Sequence, residues 1–219
     1  MQPDRTQDFF HRYADGFDAI YSNQTSPVNG IVNRVLRRSM KLRFLKSIEG
    51  CDLIKGKSVL DVGCGPGHYS ITLAQRGAAR VLGLDFAEGM LDLARQHAKR
   101  AGVAEKCQFV AGDFLSYRFS ETFDYVIVMG FMDYMKEARA VVEKVLSVTS
   151  LQAFFSFPVA GGILAWQRKL RYRNRCDLFL YTQANLENLL GSFSGVEFQI
   201  ERIARDFFVT ASPSSTRAS

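Results

Sequence analysis

The sequence contains no run of about 18 apolar residues, so no segment of it reads as a membrane-spanning helix. Its opening, MQPDRTQDFFHRYADGF, interleaves charges and aromatics and lacks the apolar core of a signal peptide. The expected compartment is the cytoplasm. Four cysteines, Cys51, Cys64, Cys107 and Cys176, lie far apart and form no C-x-x-C pair, which argues against the usual zinc and redox motifs. No metal site is expected, and the thiols read as small core groups in a reducing compartment. Internal repeats and low-complexity linkers are also missing; only Ser212–Ser219 reads as a disordered tail.

Acid is missing from two stretches. Ile31–Ile48 carries Arg34, Arg37, Arg38, Lys41, Arg43 and Lys46, and Gly161–Arg175 carries Arg168, Lys169, Arg171, Arg173 and Arg175. Of 28 basic residues eleven lie there, and the remaining 17 face 22 acidic ones. The net charge of +6 is therefore a local feature of two segments rather than a property of the whole surface.

The rest of the composition is ordinary: 47% apolar and 23% charged, in a chain of 219 residues that can bury one good core. Strand and helix signals alternate. Strands are predicted at Ser58–Val62, Arg80–Leu84, Cys107–Ala111, Asp124–Met129 and Leu151–Phe157, and an antiparallel pair at Val196–Ile203 and Asp206–Ala211. Helices are predicted at Tyr69–Arg76, Ala87–Ala101, Lys136–Ser147 and Gln183–Leu190, the last capped by Thr182 and stopped at Gly191. This order predicts a Rossmann-like, doubly wound α/β fold. It has a mostly parallel seven-stranded sheet, an antiparallel C-terminal strand and helices on both faces. Residues 1–50 are expected to form a helical lid, 51–211 the main domain and 212–219 the tail.

Chemistry concentrates in VLDVGCGPGHYS, residues 59–70. Gly63, Gly65 and Gly67 let the backbone turn tightly and approach a ligand, and the N–H groups of the following helix favour an anion. Yet Asp61, at the end of the strand, would repel a phosphate. A carboxylate for a cation beside N–H donors for an anion suits an amino acid better than a pyrophosphate. S-adenosyl-L-methionine carries both groups on an adenosine. Asp85 ends the second strand, 18 residues past Gly67, where a carboxylate can accept from both ribose hydroxyls. Phe86 and Met90 follow as apolar groups for an adenine face. Asp113 could accept from the adenine amino group, with the backbone N–H of Phe114 on a ring nitrogen. Taken singly each signal also fits a dinucleotide site, since an acid about 20 residues past a glycine turn is shared with NAD enzymes. Together they favour S-adenosyl-L-methionine, with S-adenosyl-L-homocysteine as product.

VLDVGCGPGHYS, GLDFAEGMLDLAR, GDF and FDYVIVMGFMDYM resemble the consecutive motifs of class I S-adenosylmethionine-dependent methyltransferases. The likeness is to the small-molecule branch that includes quinone-biosynthesis and magnesium-protoporphyrin methyltransferases, and it covers about residues 57–157. It implies that Asp61, Gly63, Cys64, Gly65 and Gly67 hold the methionine end, Asp85, Phe86 and Met90 the ribose and adenine, and Asp113 with Phe114 the adenine. It also implies that Met129 and Gly130 complete the cofactor site and that Gly130 to Tyr134 line the methyl-transfer site. FFHRYADGFDAIYS resembles the lid that opens many such enzymes.

Methyl transfer to an oxygen or carbon needs alignment and a base. Candidates are Asp133, Tyr134 and His68, with His11 and Tyr13 if the N-terminal segment closes over the site. Expected acceptor contacts are Tyr13, Tyr21, Phe131, Trp166, Arg171 and Arg173, which together suit a small, anionic and partly apolar molecule methylated at oxygen. A nucleic-acid substrate is disfavoured. MGFMDYM lacks the Pro-Pro-aromatic motif of amino-methylating DNA enzymes, and SFPVAGG lacks the Pro-Cys pair of RNA cytosine enzymes. An RNA methyltransferase and a non-catalytic cofactor-binding protein are the alternatives. The basic stretch Ile31–Ile48 is amphipathic, with Arg34, Arg37, Arg38 and Lys41 on one face; that face reads as solvated, or as a contact with an anionic membrane surface.

Overall fold

The computed structural model describes residues 30–161 and 177–214, with side chains from residue 38 onward in the first helix. Helix α1 spans Gly30–Gly50 and leads to strand β1, Ser58–Val62. Helix α2 (His68–Gln75), strand β2 (Arg80–Asp85), helix α3 (Glu88–Arg100) and strand β3 (Cys107–Ala111) follow. Strand β4 (Phe123–Val128), helix α4 (Ala138–Ser147) and strand β5 (Thr149–Pro158) come next. Helix α5 (Gln183–Leu190) and strands β6 (Val196–Ile203) and β7 (Asp206–Pro213) complete the order.

The seven strands form one sheet in the order β3-β2-β1-β4-β5-β7-β6. The first five are parallel; β7 runs antiparallel to both β5 and β6. This is the Rossmann-like architecture that the alternation of elements predicts. In register, Leu60 lies between Leu82 and Val126, and Asp61 between Gly83 and Ile127. Strand order reverses between β1 and β4, which opens a crevice at their carboxyl ends.

Alternate residues of each strand feed two cores, one on each face of the sheet. One gathers Leu60, Val62, Val126, Val128, Phe155 and Phe157 under α4 and α5. The other gathers Val59, Leu73, Val81, Leu91, Ile127 and Phe154 under α2 and α3. A parallel sheet buried on both faces needs such nearly unbroken apolar strands, and β1 is buried from Val59 to Val62. Thr182 caps α5, its Oγ1 accepting from the Asn185 N–H at 3.2 Å, as its position ahead of the helix predicts.

Most elements match to within a residue or two, and three of the differing boundaries are informative. Strand β5 runs through Pro158, because that proline pairs with Asp206 without having to donate. Strand β7 continues to Pro213, pairing Ser212 with Glu197, so the expected tail begins inside the sheet. Helix α4 begins at Ala138 rather than Lys136. The basic stretch of α1 is helical, and Arg38 and Lys41 are exposed as its patterning predicts. Arg43, however, turns inward and is only 12% exposed.

Candidate active site

The glycine turn between β1 and α2 holds three left-handed glycines, with φ of 65° at Gly63, 51° at Gly65 and 81° at Gly67. The N–H groups of Gly63 and Cys64 both donate to the carbonyl of Leu84, at 2.8 and 3.1 Å, which ties the turn to the end of β2. A Cβ at Gly63 would stand 2.7 Å from the Phe131 ring, so a side chain is excluded there on two grounds. At Gly65 nothing lies within 4 Å of such an atom. The turn is thus packed at its start and open at its middle, where a ligand must approach the backbone.

Asp61 is buried, 2% exposed. Its Oδ2 accepts from the Ser70 hydroxyl at 2.6 Å and from the Ser70 N–H at 3.2 Å, linking β1 to the first turn of α2. Burial pushes its carboxyl up to about 6; the two Ser70 hydrogen bonds pull the other way, and the neighbouring charge of Asp85 adds to the rise. A carboxylate in this state is stabilised by any cation brought beside it. Asp85 accepts from the Gly65 N–H on Oδ2 at 2.9 Å and from the Ala87 N–H on Oδ1 at 2.9 Å. It therefore braces the turn as well as ending β2. Asp113 is exposed and forms a local turn, its Oδ1 accepting from the Ser116 N–H at 2.9 Å.

Asp85 is thus hydrogen-bonded to the glycine turn and Asp61 to the helix that follows it, with Asp113 just past the end of the next strand. Phe86 and Met90 form a small apolar cluster with Ala87 and Leu93, separate from both main cores. The Phe114 side chain is core, edge-on to Phe131 at 6.0 Å, so the ring itself belongs to the packing under the site. Cys64 is buried and its thiol is pushed well above its ordinary value by burial and by Asp61 and Asp85, which makes it inert. Cys51 and Cys107 are likewise pushed up, to about 12 and about 11, mainly by burial. Cys176 lies outside the described residues.

Past β4, Met129 and Gly130 lead into a short 3-10 turn at Met132–Tyr134. The Gly130 N–H donates to Ser156 Oγ at 2.8 Å. Asp133 is buried, and its carbonyl accepts from the Phe179 N–H at 2.9 Å. It does not cap the next helix, whose N-cap residue is Glu137. The Tyr181 hydroxyl is pushed up to about 12, first by burial and then by the charge of Asp133, so it stays protonated. Tyr134 is half-buried. The His68 ring, also half-buried, stacks on His97 with centroids 6.1 Å apart. Of the expected acceptor contacts only Phe131 falls among the described residues; Tyr13, Tyr21, Trp166, Arg171 and Arg173 lie outside them, as do His11 and the second basic stretch from Arg168 to Arg175.

Sequence reasoning missed Ser70 and Ser156. Ser70 had a weak signal, a hydroxyl in the first turn of the helix after the glycines. Ser156 had none beyond being a polar residue in an aromatic strand.

Residues 59–150 match the family of methyltransferase domains. The chain is 38% identical over 99 residues to a ubiquinone biosynthesis O-methyltransferase of Neisseria meningitidis serogroup C, covering 45% of this chain and 42% of that protein. It is 33% identical over 105 residues to one from Pseudomonas fluorescens, covering 47% and 45%. The chain thus matches less than half the length of these curated relatives. Its fold is that of the magnesium protoporphyrin IX methyltransferase of Synechocystis PCC 6803 solved with bound SAH. The TM-score is 0.77 at 22% identity, over 95% of this chain and 98% of that one. Residues 59–150 thus match a methyltransferase domain, and the likeness to the solved structure assigns the fold around them.

Proposed function

We propose that this chain, whose residues 59–150 match a methyltransferase domain, is an S-adenosylmethionine-dependent methyltransferase acting at an oxygen of a small, anionic and partly apolar acceptor. The observation that supports it most is the buried Asp61 carboxylate beside an open glycine turn. That pairing fits an ammonium next to a carboxylate, the two charged groups of an amino acid. Asp85 and Asp113, at successive strand ends, suit ribose hydroxyls and an exocyclic amine. Oxygen as the methylated atom draws on the O-methyltransferase names of the two relatives.

When bound, the cofactor would supply an electrophilic methyl group on a sulfonium, with S-adenosylhomocysteine as the leaving product, held by Asp61, the glycine turn, Asp85 and Asp113. The protein's part is to align and to take a proton. Gly63 and Gly65 keep the turn open to the methionine end. The turn at 130–134 borders the reacting edge, with Phe131 laid against Gly63. Asp133 is the first candidate to receive the acceptor proton, with Tyr134 and His68 behind it. Its burial shields a proton transfer from bulk water, and the protonated Tyr181 hydroxyl beside it can donate to the carboxylate.

The test begins with thermal stabilisation by S-adenosylmethionine, S-adenosylhomocysteine and NAD. A ligand that binds only the folded state at a hundred times its dissociation constant adds about 2.7 kcal/mol. A shift with the sulfur compounds and none with NAD supports the cofactor. Release of S-adenosylhomocysteine in the presence of anionic phenols or carboxylic acids then identifies the acceptor class. Binding without turnover on any acceptor would favour a non-catalytic binding protein.

A further inference from the structure

Outside the groups assigned to the cofactor, one set of buried polar side chains stands where β4 and β5 end and β7 begins. Ser156 sits fully buried between Phe155 and Phe157. Its Oγ accepts from the Gly130 N–H at 2.8 Å and from Arg43 Nη1 at 3.2 Å. Arg43 reaches there from α1, 113 positions earlier in the chain. Its Nε also lies 3.7 Å from Oδ2 of Asp206, which is 2% exposed. On the same helix, Ser39 Oγ accepts from the Arg205 N–H at 3.4 Å, so α1 is fastened twice to the turn between β6 and β7. A buried Arg, Asp and Ser are costlier than apolar residues of the same volume, so packing alone does not explain them.

From Gly130 the contacts continue to the glycine turn. Gly130 is left-handed, with φ of 70°, and a Cβ there would stand 3.7 Å from Arg43 Nη1. The next residue, Phe131, lays its ring against Gly63 and meets Phe114 edge-on. Arg43, Ser156, Gly130, Phe131 and Gly63 therefore form an unbroken line from α1 to the glycine turn.

We propose that Arg43 is a positioning residue of the methyl-transfer site: through Ser156 it fixes the Gly130 backbone and so seats Phe131 over the glycine turn. The guanidinium suits this because one planar fork bonds the hydroxyl while another edge faces Asp206; a lysine ammonium could serve only one of them in that geometry. The inference deepens the cofactor reading above and rests on it for its binding arm alone.

The test compares Arg43→Met, Ser156→Ala, the double variant and Lys46→Met with the wild type. Lys46 lies on the same helix and pairs with exposed Glu201 at 2.6 Å, so it controls for loss of a helix contact. Two quantities are read: amide hydrogen exchange over residues 129–134, and the dissociation rate of S-adenosylhomocysteine. Arg43→Met and Ser156→Ala should each raise both at least fivefold. The double variant should exceed neither single by much, because both break one path. Lys46→Met should leave both unchanged. Ser156→Ala removes a single hydroxyl and keeps the test standing if Arg43→Met does not fold. Wild-type exchange at 129–134 in Ser156→Ala would overturn the proposal. So would exchange that rises equally in all strands, which would mean a global loss of stability. If the wild type fails to bind S-adenosylhomocysteine, the cofactor reading falls, while the exchange comparison still decides whether Arg43 holds this loop.

Discussion

Replacing Asp61 by Asn should make the free protein gain stability relative to the wild type as the pH rises. In the folded chain the Asp61 carboxyl is buried and pushed up from 3.8 to about 6. The folded state therefore holds this proton more tightly than the unfolded state does. The stabilising contribution of the protonated form is fully present below pH 3.8 and is lost as the pH rises through 6. A shift of this size corresponds to about 3 kcal/mol, and roughly 2 kcal/mol of it falls between pH 4 and pH 7. Asparagine does not titrate, and its Oδ1 can still accept from the Ser70 hydroxyl. The difference in unfolding free energy, variant minus wild type, should accordingly climb by roughly 2 kcal/mol over that range. Urea denaturation of both proteins at half-unit steps of pH, without cofactor, measures it. The slope is the readout, since a lost hydrogen bond would move the whole curve without bending it. A flat difference, or one that falls with pH, would refute the claim that a strained carboxylate awaits a cation at the end of β1.

Gly63→Ala should destabilise the protein by about 1–3 kcal/mol, from a strained φ and the Phe131 contact; the cost should shrink in a Phe131→Ala background, and an equal cost in both would deny that contact. Asp133→Asn should lower kcat by about a hundredfold with the dissociation constant for S-adenosylhomocysteine unchanged; unaltered turnover would remove Asp133 as the base. Lys144 donates to the carbonyls of Leu115 and Tyr117 and lies 5.4 Å from the ring centroids of both Phe114 and Phe119. Lys144→Met should therefore loosen the loop that carries Asp113 and weaken S-adenosylhomocysteine binding by about 1 kcal/mol in calorimetry; an unchanged affinity would show that the loop holds its shape without the lysine.

The parts of this fold that could be read in advance are those in which local pattern and tertiary role agree. Strands β1 to β3 end within a residue of their expected limits because apolar runs, glycines and acids punctuate them. The acids at successive strand ends were legible for the same reason: a carboxylate that closes an apolar strand is out of place unless a ligand meets it. Long-range polar partners were not legible. Ser70 is nine residues from Asp61, and Ser156 is 26 from Gly130 and 113 from Arg43. No periodicity encodes such pairs. The α1 helix shows the limit well, since its charges follow helical spacing and Arg38 and Lys41 meet solvent, yet Arg43 on the same helix turns inward onto Ser156 and Asp206.

Where the buried polar groups lie also argues for function. Asp61 is near the carboxyl end of β1, Asp133 follows β4, and Ser156 is close to the end of β5. Asp206 opens β7, and because β7 is antiparallel to β5 and pairs with Pro158, it stands at that same edge. At the opposite edge Asp124, at the start of β4, remains half-exposed; partial burial raises its carboxyl, but the hydrogen bonds from Ser58 and the charge of Lys57 more than offset this and hold it below the ordinary value. At that edge close partners keep the charge inexpensive. At the carboxyl edge three acids are taken out of water at a cost that apolar replacements would avoid. A fold selected for stability alone would spread or expose these groups. Their concentration along the carboxyl edge, which includes the crevice where strand order reverses, fits a site that meets a charged ligand.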